Sequence, residues 1–150
     1  MDDLTATQRH KAMSRVHSKD TSIEVILRRA LWNEGIRYRK NYNNLPGKPD
    51  IAITKYKIAI FCDGELWHGY NWEKQKMQLK QSSNAAYWIA KIESNMQRDR
   101  NNDLALRYRG WCVLHFWGRD IKKHTDLCVQ VVKEAIMDRI IDEGIVWFDE

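Results

Sequence analysis

The sequence predicts a mixed α/β domain in which a central sheet is flanked by helices. Apolar residues recur at helical spacing in three separate segments. Between the first two lie short strand-like runs, two of them joined by a tight turn. One further apolar run separates the second helical segment from the third. The order helix, three strands, helix, strand, helix requires a sheet whose strands are partly brought together by intervening helices.

Each element has a local reason. Residues 1–20 are polar and basic, with a short helix expected around Gln8–Arg15. Thr21-Ser22-Ile23-Glu24 reads as a capping box, after which Ile23, Ile26, Leu27, Ala30 and Leu31 recur on one helical face until Gly35 stops the helix. Ile36–Tyr42 alternates as a strand. Ile51–Thr54 and Lys57–Cys62 form a hairpin with Lys55-Tyr56 in its turn. Tyr70 to Ser83 is polar and is expected to be a loop carrying basic residues. A long helix is expected from about Asn84 to Arg107, ended by Gly110, and Trp111–Trp117 reads as a buried strand. A last amphipathic helix carries Leu127, Val131, Val132, Ala135, Ile136 and Ile140 and ends at Gly144.

With 150 residues the chain suits one domain with a substantial core. The hydrophobic share of 43% and charged share of 30% are ordinary for a globular protein. Lys and Arg number 25 against 20 Asp and Glu, a net charge of +5 that favours an anionic partner. No apolar stretch is long enough to span a bilayer and Met1-Asp-Asp-Leu is not a signal peptide, so no membrane partner is expected. The three cysteines, Cys62, Cys112 and Cys128, are unevenly spaced without a CxxC pair. They fit a reducing cytoplasm better than a disulfide scaffold.

The chemistry gathers around the hairpin. Both prolines, Pro46 and Pro49, precede Asp50, which opens the first strand; the second strand empties into Asp63, Gly64 and Glu65, then Trp67-His68. If the turn is symmetric about Lys55 and Tyr56, Ile53 faces Ile58 and Asp50 faces Phe61. Asp50 and Asp63 then share a face on a diagonal of roughly 7–8 Å, near enough for one ion to sit between their side chains. An odd-length turn would separate them. Carboxylate oxygens, a main-chain carbonyl and waters suit Mg²⁺, which neutralises charge on a phosphate or acidifies water. The plainer reading is a Pro-Asp turn with solvated acids at strand ends.

Asp99 follows Trp88, Ile92 and Met96 on the apolar face of the long helix, so it projects towards the sheet, where a carboxylate needs a cation or hydrogen bonds. The alternative is a pair with Arg98, Arg100 or Arg37, and Asp103 falls on the same side. Spacing assigns Glu24 to the helix cap, although it borders the stripe of Leu27 and Leu31. His68, near neutral in its ordinary pKa, can act as general base for water. His10, His17, His115 and His124 have no comparable setting.

Taken together, these blocks resemble the very-short-patch repair endonucleases, a branch of the PD-(D/E)xK nuclease superfamily. The resemblance runs through MSRVHSKDTSIE (Met13–Glu24), LPGKPDI (Leu45–Ile51), IFCDGELWHG (Ile60–Gly69), YWIAKIESNMQRDR (Tyr87–Arg100) and GWCVLHFW (Gly110–Trp117). It implies a restriction-endonuclease-like central mixed sheet flanked by helices. It implies that Asp50 is the central Mg²⁺ ligand, that Cys62 lends its main-chain carbonyl, and that Asp63 stands where a histidine often touches the ion's water. His68 matches the proposed general base, and Glu24 and Asp99 match two further acidic positions. The implied activity is nicking of one DNA strand beside a T:G mismatch, with an aromatic wedge at Leu66, Trp67 and Trp88.

The resemblance has departures. One zinc-ligand position of the classical enzymes is Glu65 here; GYNWEKQ after His68 and Gly118-Arg119 after Trp117 supply no Cys or His, so no structural zinc is expected. Leu66 stands in an aromatic place, a further departure that bears on mismatch recognition rather than on DNA cleavage. Lys74, Lys76 and Lys80, then Lys91 and Arg98, then Arg119, Lys122 and Lys123, form basic groups that can contact phosphates. Residues 1–20 are expected to be a DNA-contacting arm. The expected partner is double-stranded DNA, with the protein a monomer in a prokaryotic or phage-derived cytoplasm beside mismatch-repair proteins. Two rivals remain open: a restriction-like or homing-type nuclease cutting matched DNA, and a DNA-binding module without catalysis.

Overall fold

The computed structural model describes residues 21–65 and 68–144. The helix expected around Gln8–Arg15, the arm 1–20, and Leu66 and Trp67 lie outside the described residues. Helix α1 spans Ser22–Asn33. Its Leu27 and Leu31 are fully buried, with Ile23, Ile26 and Ala30 packed beside them, as their spacing requires. Gly35 ends it in the left-handed region at φ +81°, with its N–H bonded to the Trp32 carbonyl and that of Ile36 to the Leu31 carbonyl. The capping box does not form among the described residues. Thr21 makes no side-chain cap bond, and Glu24 turns inward, 3.8 Å from Arg28.

Four strands follow: β1 (Arg39–Lys40), β2 (Ile51–Ile53), β3 (Ile58–Asp63) and β4 (Cys112–Trp117). They lie in the order β1-β2-β3-β4, with β1–β2 and β2–β3 antiparallel and β3–β4 parallel. The hairpin register pairs Ile53 with Ile58 and Ile51 with Ile60, the parity that the Lys55-Tyr56 turn demands. The strand expected over Ile36–Tyr42 shortens to Arg39–Lys40. Its first residues instead pack on α1, where the Arg37 guanidinium stacks 3.6 Å above the Trp32 ring, and left-handed Asn41 (φ +48°) breaks the extended backbone while its N–H still bonds to the Asp50 carbonyl at 2.9 Å.

Helix α2 (Trp72–Leu79) occupies the segment expected to be a loop. It buries no residue and therefore has no apolar periodicity to reveal it; polar ties hold it to the next helix, Trp72 and Lys76 each reaching Glu93 at 3.2 Å. Helix α3 spans Ala85–Tyr108 and stops before Gly110. A short helix α4 (Gly118–Lys123) precedes α5 (Thr125–Gly144). Of the expected inner face of α5, Val132 is buried and Ala135 and Ile136 pack against the core, where Cys128 and Val129 join them, whereas Leu127 is 64% and Val131 41% exposed. Among the described residues no helix is long and apolar enough to cross a membrane.

The sheet has two unlike faces. Ile51, Ile53, Ile58, Ile60, Cys62 and Phe116 alternate onto one face and build the core with Leu27, Leu31, Ile121 and Val132. The opposite face carries Phe61, Asp63 and His115, and α3 lies beside β4 on that side. One side of the sheet is thus purely apolar, and the acids are left on the other.

Candidate active site

Asp50 sits at the end of the segment that leads into β2. Its Oδ2 accepts a hydrogen bond from the Cys62 backbone N–H at 2.7 Å, so the hairpin itself anchors the carboxylate. Burial pushes the Asp50 carboxyl up, the Cys62 bond opposes this, and the charges of Glu24 and Asp63 push it up again, to about 7. Three acids from α1, the start of β2 and the end of β3 therefore crowd one another.

Asp63 is buried at 6% exposure. Its Oδ2 lies 2.6 Å from Nδ1 of His115, and its Oδ1 lies 3.8 Å from Nδ1 of His68. His68 reaches the site because its N–H bonds back to the Gly64 carbonyl at 3.2 Å, closing the loop after β3. Its Nδ1 is 2.5 Å from Oδ2 of Asp99. A carboxylate only accepts, so Nδ1 carries the proton, and a proton taken from water would go to Nε2. Burial lowers the His68 pKa, but the Asp99 hydrogen bond and the charges of Asp63 and Asp99 together outweigh it and raise it.

Glu24, Asp50, Cys62, Asp63, His68 and Asp99 all line one cavity of about 590 Å³. The Cys62 side chain points to the core face, and its thiol is pushed far up by burial and by the nearby acids, so it stays protonated. Asp99 pairs with His68 rather than with an arginine. Asp103 takes the role of a second paired acid: its Oδ2 lies 2.7 Å from Nε2 of His115.

His115, set aside in the sequence reading, is therefore part of the site. Burial lowers its pKa, yet hydrogen bonds and charges from Asp63 and Asp103 raise it to about 9. The only sequence signal was its alternation within β4; the parallel register that sets it opposite Phe61 is long-range.

The wedge and basic positions fare differently. Trp88 is buried at 6% exposure and meets Tyr87 edge-on at 4.8 Å. The helical stripe it shares with buried Ile92 is the physical reason. Lys76 is tied to Glu93, whereas Lys74, Lys80, Lys91 and Arg98 are exposed, Arg98 at the cavity. The Arg119 N–H donates to Glu65 Oε1 at 2.6 Å and its guanidinium to the Tyr70 hydroxyl at 3.1 Å. Tyr70 in turn meets Trp117 edge-on at 4.9 Å, closing a clasp between the His68 loop and the start of α4. Lys122 and Lys123 are exposed beside it.

A family model for DNA mismatch endonuclease Vsr matches residues 1–74, which include Glu24, Asp50, Cys62, Asp63 and His68. The chain is 46% identical to a type II nicking enzyme, V.NmeDIP, of Neisseria meningitidis serogroup C, over 93% of each chain. This protein belongs to the Vsr family of DNA endonucleases. A Haemophilus parainfluenzae relative, type II nicking enzyme V.HpaIIP, is 42% identical over 94% of this chain and 99% of its own. The DNA mismatch endonuclease Vsr of Escherichia coli K12 is 30% identical over 91% of this chain and 85% of its own. Asp99, Asp103 and His115 lie beyond the matched family segment.

Gly69 offers a local test of the loop. It adopts φ +77°, and a Cβ there would run into the Met96 side chain on α3. Gly69→Ala is expected to cost about 1–3 kcal/mol and to lower the cutting rate further than the lost stability explains, because His68 is its neighbour. Thermal melts and single-turnover rates check this; an unaltered rate would show that the loop tolerates displacement.

Proposed function

We propose that this Vsr-family protein is a Mg²⁺-dependent endonuclease that nicks one strand of double-stranded DNA beside a T:G mismatch, acting as a monomer alongside mismatch-repair proteins. The observation that carries the metal is the crowding of Glu24, Asp50 and Asp63, with the Asp50 carboxyl held up to about 7 by burial and its neighbours. An all-oxygen donor set of Asp50, the Cys62 carbonyl and Asp63 fits a hard cation. Among the described residues no three His, Cys, Asp or Glu side chains form a ready chelate. Mg²⁺ is commonly held by one or two carboxylates and keeps much of its water. Bound there, the ion supplies charge neutralisation at the phosphate.

The chain's own residues do the rest. His68 takes the proton of the attacking water at Nε2, while Asp99 fixes the ring through Nδ1. Asp63 faces His68 across 3.8 Å and orients the site's water. Glu24 adds negative charge beside Asp50. Arg98, Lys74, Lys122 and Arg119 contact the backbone, and Leu66 and Trp67 form the wedge. The Glu65–Arg119–Tyr70 clasp ties the loop to the start of α4.

A second reading, sequence-directed nicking of matched DNA, is favoured by the two most similar relatives described above, both named type II nicking enzymes. Duplexes identical except for T:G or T:A at one position separate the two readings. Mismatch repair requires nicking of the T:G duplex alone, and equal nicking of both would remove it. Mg²⁺ is also expected to raise the melting temperature more at pH 8 than at pH 6, because Asp50 must shed its proton to bind. An equal rise at both values would count against Asp50 as the ligand.

A further inference from the structure

His115 is held in a way the proposed reaction does not use. Its ring stacks on Phe61 with centroids 4.9 Å apart and planes 13° from parallel. Nδ1 stands 2.6 Å from Asp63 Oδ2, and Nε2 stands 2.9 and 2.7 Å from the two oxygens of Asp103. Both partners only accept, so both ring nitrogens donate. Strand β3, strand β4 and helix α3 thereby clamp one imidazole through its plane and both its ends.

We propose that His115 is a positioning residue of the active site, fixing the Asp63 carboxylate so that Oδ2 is engaged and Oδ1 faces His68 and the region where ion and water bind. The inference rests on the endonuclease reading of the same cavity. The contact also ties strand to helix, and the melting temperature reads that part of its role. The His115 side chain is 30% exposed and lines the same cavity as Asp50 and His68. The Asp63 side chain, by contrast, is only 8% exposed, and its direction must be set by the groups that bond it. A carboxylate that swings freely between two imidazoles would offer the ion a poor geometry, and loss of such a supporting contact commonly weakens metal binding by about 10–100-fold.

The clamp can be dismantled in steps. His115→Asn keeps a donor near the position of Nδ1 and loses the Asp103 bond, whereas His115→Ala loses both. Each variant is read by single-turnover nicking with protein in saturating excess over DNA, by Mn²⁺ affinity of the DNA-free protein from electron paramagnetic resonance, and by melting temperature. His115→Ala is expected to slow nicking about tenfold or more with the half-saturating protein concentration held within about twofold, and to weaken Mn²⁺ binding about tenfold. His115→Asn should recover most of both. Unchanged Mn²⁺ affinity in His115→Ala would overturn the positioning role. So would losses that track the melting temperature and are no smaller in His115→Asn. A wild-type protein that nicks no duplex overturns the endonuclease reading instead, and the DNA-free Mn²⁺ titration tells the two failures apart.

Discussion

Asp50→Asn is expected to lower strand nicking by several kcal/mol of transition-state stabilisation, roughly 10³-fold, while the protein stays folded and binds duplex DNA within a few-fold of wild type. The substitution keeps an oxygen that can accept the Cys62 N–H bond now made at 2.7 Å, so the hairpin should not move. It removes the charge that a divalent ion needs. Stability should respond in the opposite direction from activity. The folded pKa of Asp50 is raised from 3.8 to about 7, so the native state holds this proton more tightly than the unfolded chain. Metal-free stability therefore falls as pH rises from about 4 through 7, and the penalty is fully present above 7. Asparagine cannot ionise, so the metal-free variant should melt higher than wild type at pH 8, by about 2–4 °C for each kcal/mol relieved. Nicking assays, duplex titrations and melts at pH 6 and 8 check all three outcomes. Undiminished nicking would remove Asp50 from the centre of the reaction, and a lower melting point at pH 8 would contradict the crowding of acids around it.

His68→Ala should cost about 10²–10⁴-fold in the chemical step with little change in duplex affinity, the range expected for loss of a general base. Asp99→Asn probes the same group through its pH profile. A base works only when deprotonated, so the rate climbs with pH through the pKa of His68. Asp99, by hydrogen bond and charge, joins the charge of Asp63 in raising that pKa against the opposing effect of burial. Without its charge the pKa drops, and the rising limb moves to lower pH even as ring alignment is lost and the plateau falls. A limb that stays in place in Asp99→Asn would mean that some other group titrates. A rate independent of His68 would move the base elsewhere in the cavity.

How much of this was readable in the chain depended on distance along it. The hairpin parity follows from a turn between Ile53 and Ile58, and it set Ile51 opposite Ile60. The helical stripe of Trp88, Ile92 and Met96 carried Asp99 to the sheet, and the same stripe buried Trp88. Helix α2 stayed hidden because it buries nothing. The Thr21–Glu24 spacing suggested a cap, yet Glu24 turns inward beside Arg28 and Asp50.

Local periodicity and turn length suffice to specify which side chains share a face within a helix or a hairpin, because the backbone repeats at about 3.6 and 2 residues whatever surrounds it. Asp50, Asp63 and Asp99 were accessible on those terms. The pairing of β3 with β4 crosses more than forty residues of intervening chain, and no local repeat encodes its register. Packing of the apolar face against α1, α4 and α5 aligns those strands, and that alignment alone brings His115 between Asp63 and Asp103.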